Sequence, residues 1–109
     1  MSARSIDPGA LDRRLVLQAP VETADGAGGV VRSHEAAATL WASVEPVAAR
    51  GEVAAGHSGA TVTHRIVLRF RDGITTRHRL RDGARVFRIV AIRERGRRYL
   101  DIEAEERTD

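Results

Sequence analysis

A length of 109 residues with no cysteine bounds the chain to one domain with a modest core, and excludes a disulfide framework and a thiolate metal site. The net charge of +3 is unevenly laid out: residues 1–60 carry 5 Arg against 7 acids, residues 61–98 carry 12 against 3, and residues 99–109 carry 1 against 5. No apolar run approaches the roughly 20 residues that span a bilayer, and the opening MSARSIDPGALDRR has no apolar signal-peptide core, so neither a membrane span nor a secretion signal is expected.

Residues 1–10 read as a flexible arm. From there the apolar period is mostly two, which predicts strands. Leu15 and Leu17 alternate with Arg14, Val16 and Gln18 in a first strand. Asp25 to Gly29 (DGAGG) forms a flexible tip before a short strand at Val30 to Ser33. Leu40, Ala42 and Val44 alternate with Trp41, Ser43 and Glu45. Residues 47–60, VAARGEVAAGHSGA, hold small residues and three glycines with no sustained period, and read as one long loop; a loop of this length is usually functional or disordered. Beyond it, Val62, His64, Ile66, Leu68 and Phe70 share one face of a strand, with Thr61, Thr63, Arg65 and Arg69 on the other. Asp72-Gly73 and Asp82-Gly83 are turn dipeptides, because glycine takes positive φ without steric penalty. Arg79–Leu80 and Arg85–Ile92 flank the second as a hairpin, the latter apolar on both faces as in a central strand. Gly96 turns the chain into a last strand, where Leu100, Ile102 and Ala104 alternate with Tyr99, Asp101 and Glu103.

Regular strands with short turns predict an all-β domain, a small antiparallel barrel or sandwich-like barrel with one long loop. The expected core is Leu15, Leu17, Leu40, Val44, Ile66, Leu68, Phe70, Phe87, Ile89, Leu100 and Ile102. The basic block and the acidic end attract each other, within one subunit or between neighbours, or draw phosphate.

A search for chemistry finds little. His34, His57, His64 and His78 contain no i, i+4 pair and no HExxH, so no metal site is expected, and His64 belongs in or beside the core face of its strand. Ser2, Ser5, Ser33, Ser43 and Ser58 lack a nucleophile elbow. The DGAGG run lacks the Lys and Ser/Thr of a phosphate-binding loop. Glu103, Glu105 and Glu106 read as a solvated chain end. No active site and no cofactor are expected. Arg65, Arg69, Arg71, Arg77, Arg79 and Arg81 lie close together, which keeps a nucleic-acid-binding barrel module open as a second reading. Against it, only Trp41 and Tyr99 remain to stack on bases, since Phe70 and Phe87 occupy apolar positions.

In this order and spacing, LDRRLVLQ, the Asp25/Gly28/Gly29 turn, Trp41-Ala42-x-Val44-Glu45-Pro46, His64 to Ile74 (HRIVLRFRDGI) and Gly83 to Ile89 (GARVFRI) resemble the head-closure, or head–tail joining, proteins of long-tailed phages and gene transfer agents. The resemblance runs from about Leu11 to Glu105. One departure lies at Val47 to Glu52, where Arg50-Gly51-Glu52 reorders the family's S-G-R-E-like segment.

The resemblance implies a small barrel with a long loop, in a homo-oligomeric ring of six or twelve copies. Such a ring lies beneath a portal or adaptor ring and above a tail terminator or other tail component, with packaged double-stranded DNA in its channel. The place of action would be a virion or phage-like particle assembled in the bacterial cytoplasm. On that reading, Arg50, Gly51, Glu52, Gly56, His57 and Ser58 form a channel- or DNA-facing loop. Trp41, Glu45, Arg65, Arg69, Arg71 and Arg77 take part in ring or inter-ring contacts.

Overall fold

A computed structural model describes residues 8–47 and 61–107. A short 3-10 turn at Pro8–Ala10 leads into β1 (Arg13–Ala24), β2 (Val30–Pro46), β3 (His64–Arg69), β4 (Arg79–Asp82), β5 (Arg85–Arg95) and β6 (Tyr99–Arg107). All pairings are antiparallel, and the strands close into a barrel in the order β1-β2-β3-β6-β5-β4. The all-β barrel expected from the pattern is what forms. Most of residues 1–10 and of 47–60 lies outside the described residues, including the expected channel-facing positions Arg50, Gly51, Glu52, Gly56, His57 and Ser58.

Side chains of alternate residues fill the barrel. Leu15, Leu17, Ile66, Leu68, Phe87, Ile89, Leu100 and Ile102 are buried, as the alternation predicts. Leu40, Val44 and Phe70 are only partly buried and pack against this core from its margin. Leu80, Ala42 and Ala104 complete the interior, and Leu11 is buried as well. The fully apolar look of Arg85 to Ile92 has a specific cause. Pairing of β5 with β6 steps from Ile89↔Ala104 to Ala91↔Glu103, so Val90 is the extra residue of a β-bulge. The bulge resets the alternation, bringing Ile92 opposite buried Ile102. A second bulge, at Ala37, shifts β2 against β1 between Leu17 and Gln18.

The largest departure from the sequence reading is the length of β1 and β2. Val30–Ser33 and Thr39–Pro46 are parts of one 17-residue strand, paired with a 12-residue β1. β4 covers β1 only at Val16–Gln18, and β3 covers β2 only at Ala42–Pro46. The outer parts of both strands therefore leave the barrel as a two-stranded ribbon, which stretches the molecule to 55 × 29 × 25 Å. At its tip, Asp25 Oδ1 accepts from the Ala27 and Gly29 amides at 2.7 and 3.0 Å. Gly28 holds φ +89°, and a Cβ on Gly29 would stand 2.8 Å from the Asp25 carboxylate. These contacts give the D-x-x-G-G turn its residue requirements.

The short turns follow simple rules. β4 and β5 join through Gly83-Ala84, with Asp82 opposite Arg85, and Gly83 at φ +62° supplies the positive angle the tight hairpin needs. β5 and β6 join through Gly96-Arg97-Arg98, closed by the Arg98 amide donating to Arg95 O at 3.1 Å. Among the described residues, Arg97 at φ 59° is the non-glycine residue in the left-handed region.

Candidate functional site

Three surfaces of the barrel carry chemistry. The first is the outer wall of β2 and β3. Trp41 and Glu45 project from β2, and Arg65 and Arg69 from β3, all exposed. Glu45 lies opposite Arg65, which lies opposite Glu103 on β6, so acid, base and acid form one cross-strand row. Trp41 is 54% exposed, with the Arg14 guanidinium 5.7 Å from its ring centroid. Arg71 follows just past the end of β3 and is exposed. Arg77 does not join this wall; it lies beside the ribbon, 3.1 Å from Glu22. Within the described residues, Arg65, Arg69 and Arg71 have no acid within ion-pair distance.

Elsewhere the basic block and the acidic end do meet within one subunit. Arg85 makes a forked contact to Glu106 at 2.9 and 3.1 Å, Arg88 reaches Glu105 at 3.2 Å, and Arg95 reaches Asp101 at 3.0 Å. Arg13 pairs with Asp82 across the β1–β4 seam. The sheet register produces these pairs, since β5 and β6 are neighbours and Arg88 stands directly opposite Glu105.

The second surface is the root of the 47–60 segment. The Val47 amide donates to Thr63 O at 2.8 Å, and Pro46 stands opposite His64, so the two ends of the segment are held side by side. His64 lies beside the core as expected, edge-on to Phe87 with ring centroids 5.1 Å apart. Its Nδ1 is 2.9 Å from Thr63 Oγ1, which also accepts from the Glu106 amide at 2.7 Å. Burial pushes the His64 pKa down; Glu106 opposes this and Arg85 adds to it. The Arg85 hydrogen bond holds the Glu106 carboxyl below its ordinary range.

The third surface is a groove that sequence reasoning only half found. It consists of two adjoining hollows of about 580 and 320 Å³ that share His34 and Arg77. The ribbon contributes Glu22, Arg32 and His34. The approach to β4 and the outer faces of β4, β5 and β6 contribute Arg77, His78, Arg79, Arg88 and Arg107. Glu22 takes Arg32 and Arg77 at 3.0 and 3.1 Å, and Glu105 takes Arg88 and Arg107 at 3.2 and 3.8 Å. Arg79 reaches the neutral Gln18 amide oxygen at 2.6 Å and stands opposite Arg88. His34 Nε2 lies 3.1 Å from Arg77 O, an arrangement that places the proton on Nε2. His78 Nδ1 accepts from the Thr75 amide at 3.2 Å. Burial, then the nearby His34, push the His78 pKa down, against a backbone hydrogen bond at Thr75. The Arg79–Arg88 apposition was readable in advance: a two-residue turn at Gly83-Ala84 fixes the pairing of 82 with 85, hence of 79 with 88. The contribution of the ribbon was not, because nothing local signals its length. Among the described residues no group of His, Asp and Glu is arranged to hold a metal ion, and no helix is long and apolar enough to cross a membrane.

Comparison with known proteins gives this architecture its context. The family model for phage head completion proteins matches residues 6–107. A chain from the virion of a native gene transfer agent particle superposes with a TM-score of 0.65 at 34% identity, over 87% of this chain and 94% of that one. Protein SF1141 from Shigella flexneri 2a, solved in solution, superposes with a TM-score of 0.74 at 29% identity, over 93% and 96%. Among curated proteins none matches.

Proposed function

Because the chain belongs to the phage head completion protein family, a family of structural and non-enzymatic virion parts, we propose that it acts as a head–tail connector of the head-closure or stopper type. In this reading it forms a ring of six or twelve copies, docks on a portal or adaptor ring, receives a tail terminator or other tail component, and helps to retain double-stranded DNA.

One observation carries the reading: the molecule is two-ended. A closed barrel abolishes free strand edges. Here β2 nevertheless leaves the barrel as a ribbon at one end and runs into the 47–60 segment at the other. The ribbon restores two unpaired edges, Ala19–Ala24 on β1 and Val30–Trp41 on β2. The exposed large hydrophobic residues of the described chain, Val30, Val31 and Trp41, all lie on β2. A subunit with distinct surfaces at its two ends suits a place between two unlike rings. Head-to-tail contacts between copies close into a ring when the rotation closes.

The wall of β2 and β3 is the proposed docking face, with Arg65, Arg69 and Arg71 meeting acids of a neighbouring copy or of an adjoining ring. Each surface ion pair contributes only about 0–1 kcal/mol, so a single reversal is a mild change and a triple reversal is the informative one. Arg65→Glu, Arg69→Glu and Arg71→Glu introduced together leave the barrel folded, by circular dichroism, and yield filled heads without tails by electron microscopy. Normal tailed, infectious or transducing particles from the triple variant would remove electrostatic docking through this wall.

A further inference from the structure

We propose that the groove between the ribbon and the β4–β5–β6 wall is a phosphate-binding site that takes the phosphodiester backbone of a nucleic acid. This inference stands apart from the connector reading, since the isolated chain suffices to test it.

The first support is the arrangement of charge. Arg79 and Arg88 face each other across neighbouring strands, a like-charge apposition that weakens a sheet. Glu105 offsets Arg88, but among the described residues Arg79 meets only the uncharged Gln18 amide. Positive charge is therefore held in the groove at a cost to the fold, and an anion would recover that cost. Arginine suits this role, because its planar fork binds phosphate oxygens in pairs and it stays charged at every relevant pH.

The second support is shape. The two hollows adjoin at His34 and Arg77, which line both, so cationic side chains border them from Arg32 on the ribbon to Arg107 at the end of β6. A track of this kind fits a chain of phosphates better than one isolated anion. Among the described residues no Phe, Tyr or Trp lines it, so the broad stacking platforms of single-strand binders are missing. Contacts confined to the backbone position a nucleic acid without reading its sequence. His34 and His78 face the track from the ribbon and from the approach to β4. Burial, then His34, push the His78 pKa down in the empty groove, and a bound phosphate would favour its charged form.

Fluorescence anisotropy of a labelled 20-base-pair duplex tests the proposal, titrated with the full chain at several salt concentrations. The duplex binds without sequence preference, and affinity falls as salt rises. The double variant Arg79→Gln/Arg88→Gln weakens binding about tenfold or more. It also lowers the salt slope by about 2, since each lost phosphate contact removes about 0.9. Arg93→Gln/Arg98→Gln, exposed and outside the groove lining, leaves the affinity unchanged. Circular dichroism and thermal unfolding establish that both variants are folded. Three outcomes overturn the proposal: no binding at low salt, equal weakening by the two double variants, or competition by polyglutamate as strong as by unlabelled duplex. Nuclear magnetic resonance titration with inorganic phosphate supplies the remaining arm. Saturation of the His34 and His78 signals by phosphate alone, with no duplex bound, would mark a small-anion site and sink the nucleic-acid claim.

Discussion

His64 and His78 are held partly out of water, and for both the first cause of a lowered pKa is burial. Each folded-state value therefore lies below the ordinary 6.5, so near and below that pH the unfolded chain binds more protons than the folded one. Stability is full above the unfolded value and declines as the pH falls through this window. Glu106 adds a second, more acid step, because its folded pKa lies below 4.5 and its stabilising contact to Arg85 is lost as the pH falls through that lowered value. Denaturant titrations from pH 8 to pH 3 are expected to show two declines in unfolding free energy. His64→Phe keeps a ring against Phe87 and removes part of the upper decline, while Glu106→Gln removes part of the lower one. An upper decline unchanged in His64→Phe and in His78→Phe would assign it to other groups. The core positions were legible in the sequence at this scale because alternation on a barrel wall is a local signal. Leu80 reads as part of a hairpin arm and is missing from the expected core, although its neighbours Arg79 and Arg81 form the alternating pattern that puts it inside. Phe70 follows β3 and packs against the core only from its margin, with the Arg97 guanidinium 5.6 Å from its ring.

At the scale of elements, the ribbon separates what the sequence showed from what it hid. Period-two patterning arises when one face of a sheet meets a core and the other meets water. The outer ribbon meets water on both faces, so residues from Ala19 to Ala24 and from Val30 to Ala37 carry no such pattern, and of these only Val30 to Ser33 reads as a short strand. β5 failed in a different way: the bulge at Val90 interrupts the alternation and mimics a strand buried on both faces. Since the ribbon adds few contacts to the core, its removal is expected to spare the fold. Replacing residues 22–32 by Asn-Gly joins Val21 to Ser33, its partner in the ladder, through a two-residue turn of the favoured kind. The shortened chain should unfold within about 1 kcal/mol of the parent, a range typical of changes away from the core. It should also fail to restore tailed particles when supplied to cells lacking the parent chain. A large loss of stability would make the ribbon part of the folding unit. Full restoration of particles would deny it a docking role.

For the whole molecule, the barrel, its family and the split of charge between a basic middle and an acidic end could be read from the chain, but the way that charge is used could not. The Gly96 turn makes β5 and β6 neighbours, but the bulge at Val90 that sets Arg88 opposite Glu105 has no local signal; this register satisfies Arg85, Arg88 and Arg95 internally, while Arg65, Arg69 and Arg71 face outward on β3 and just past its end. The proposed channel role of residues 47–60 belongs to this scale, since it depends on copies converging around an axis. Doubled back, 14 residues reach roughly 20 Å at about 3.3 Å per residue, enough for copies from a ring to narrow a central channel. Gly51, Gly56 and Gly59 would give the backbone freedom to switch, and Arg50 and His57 would meet DNA phosphate, His57 more strongly when protonated. The roots of the segment make a clean deletion feasible. Val47 and Thr63 are hydrogen-bonded and Pro46 faces His64, so excision of residues 50–58 leaves the β2–β3 pairing intact. Heads carrying the deletion are expected to fill and then lose DNA before tails attach, measured as nuclease-sensitive DNA and empty heads in micrographs. The purified deletion chain should unfold at nearly the temperature of the parent, which separates a channel defect from a folding defect. Stable, DNA-filled, tailed particles from the deletion would remove the gating role and leave the connector role to the barrel and ribbon.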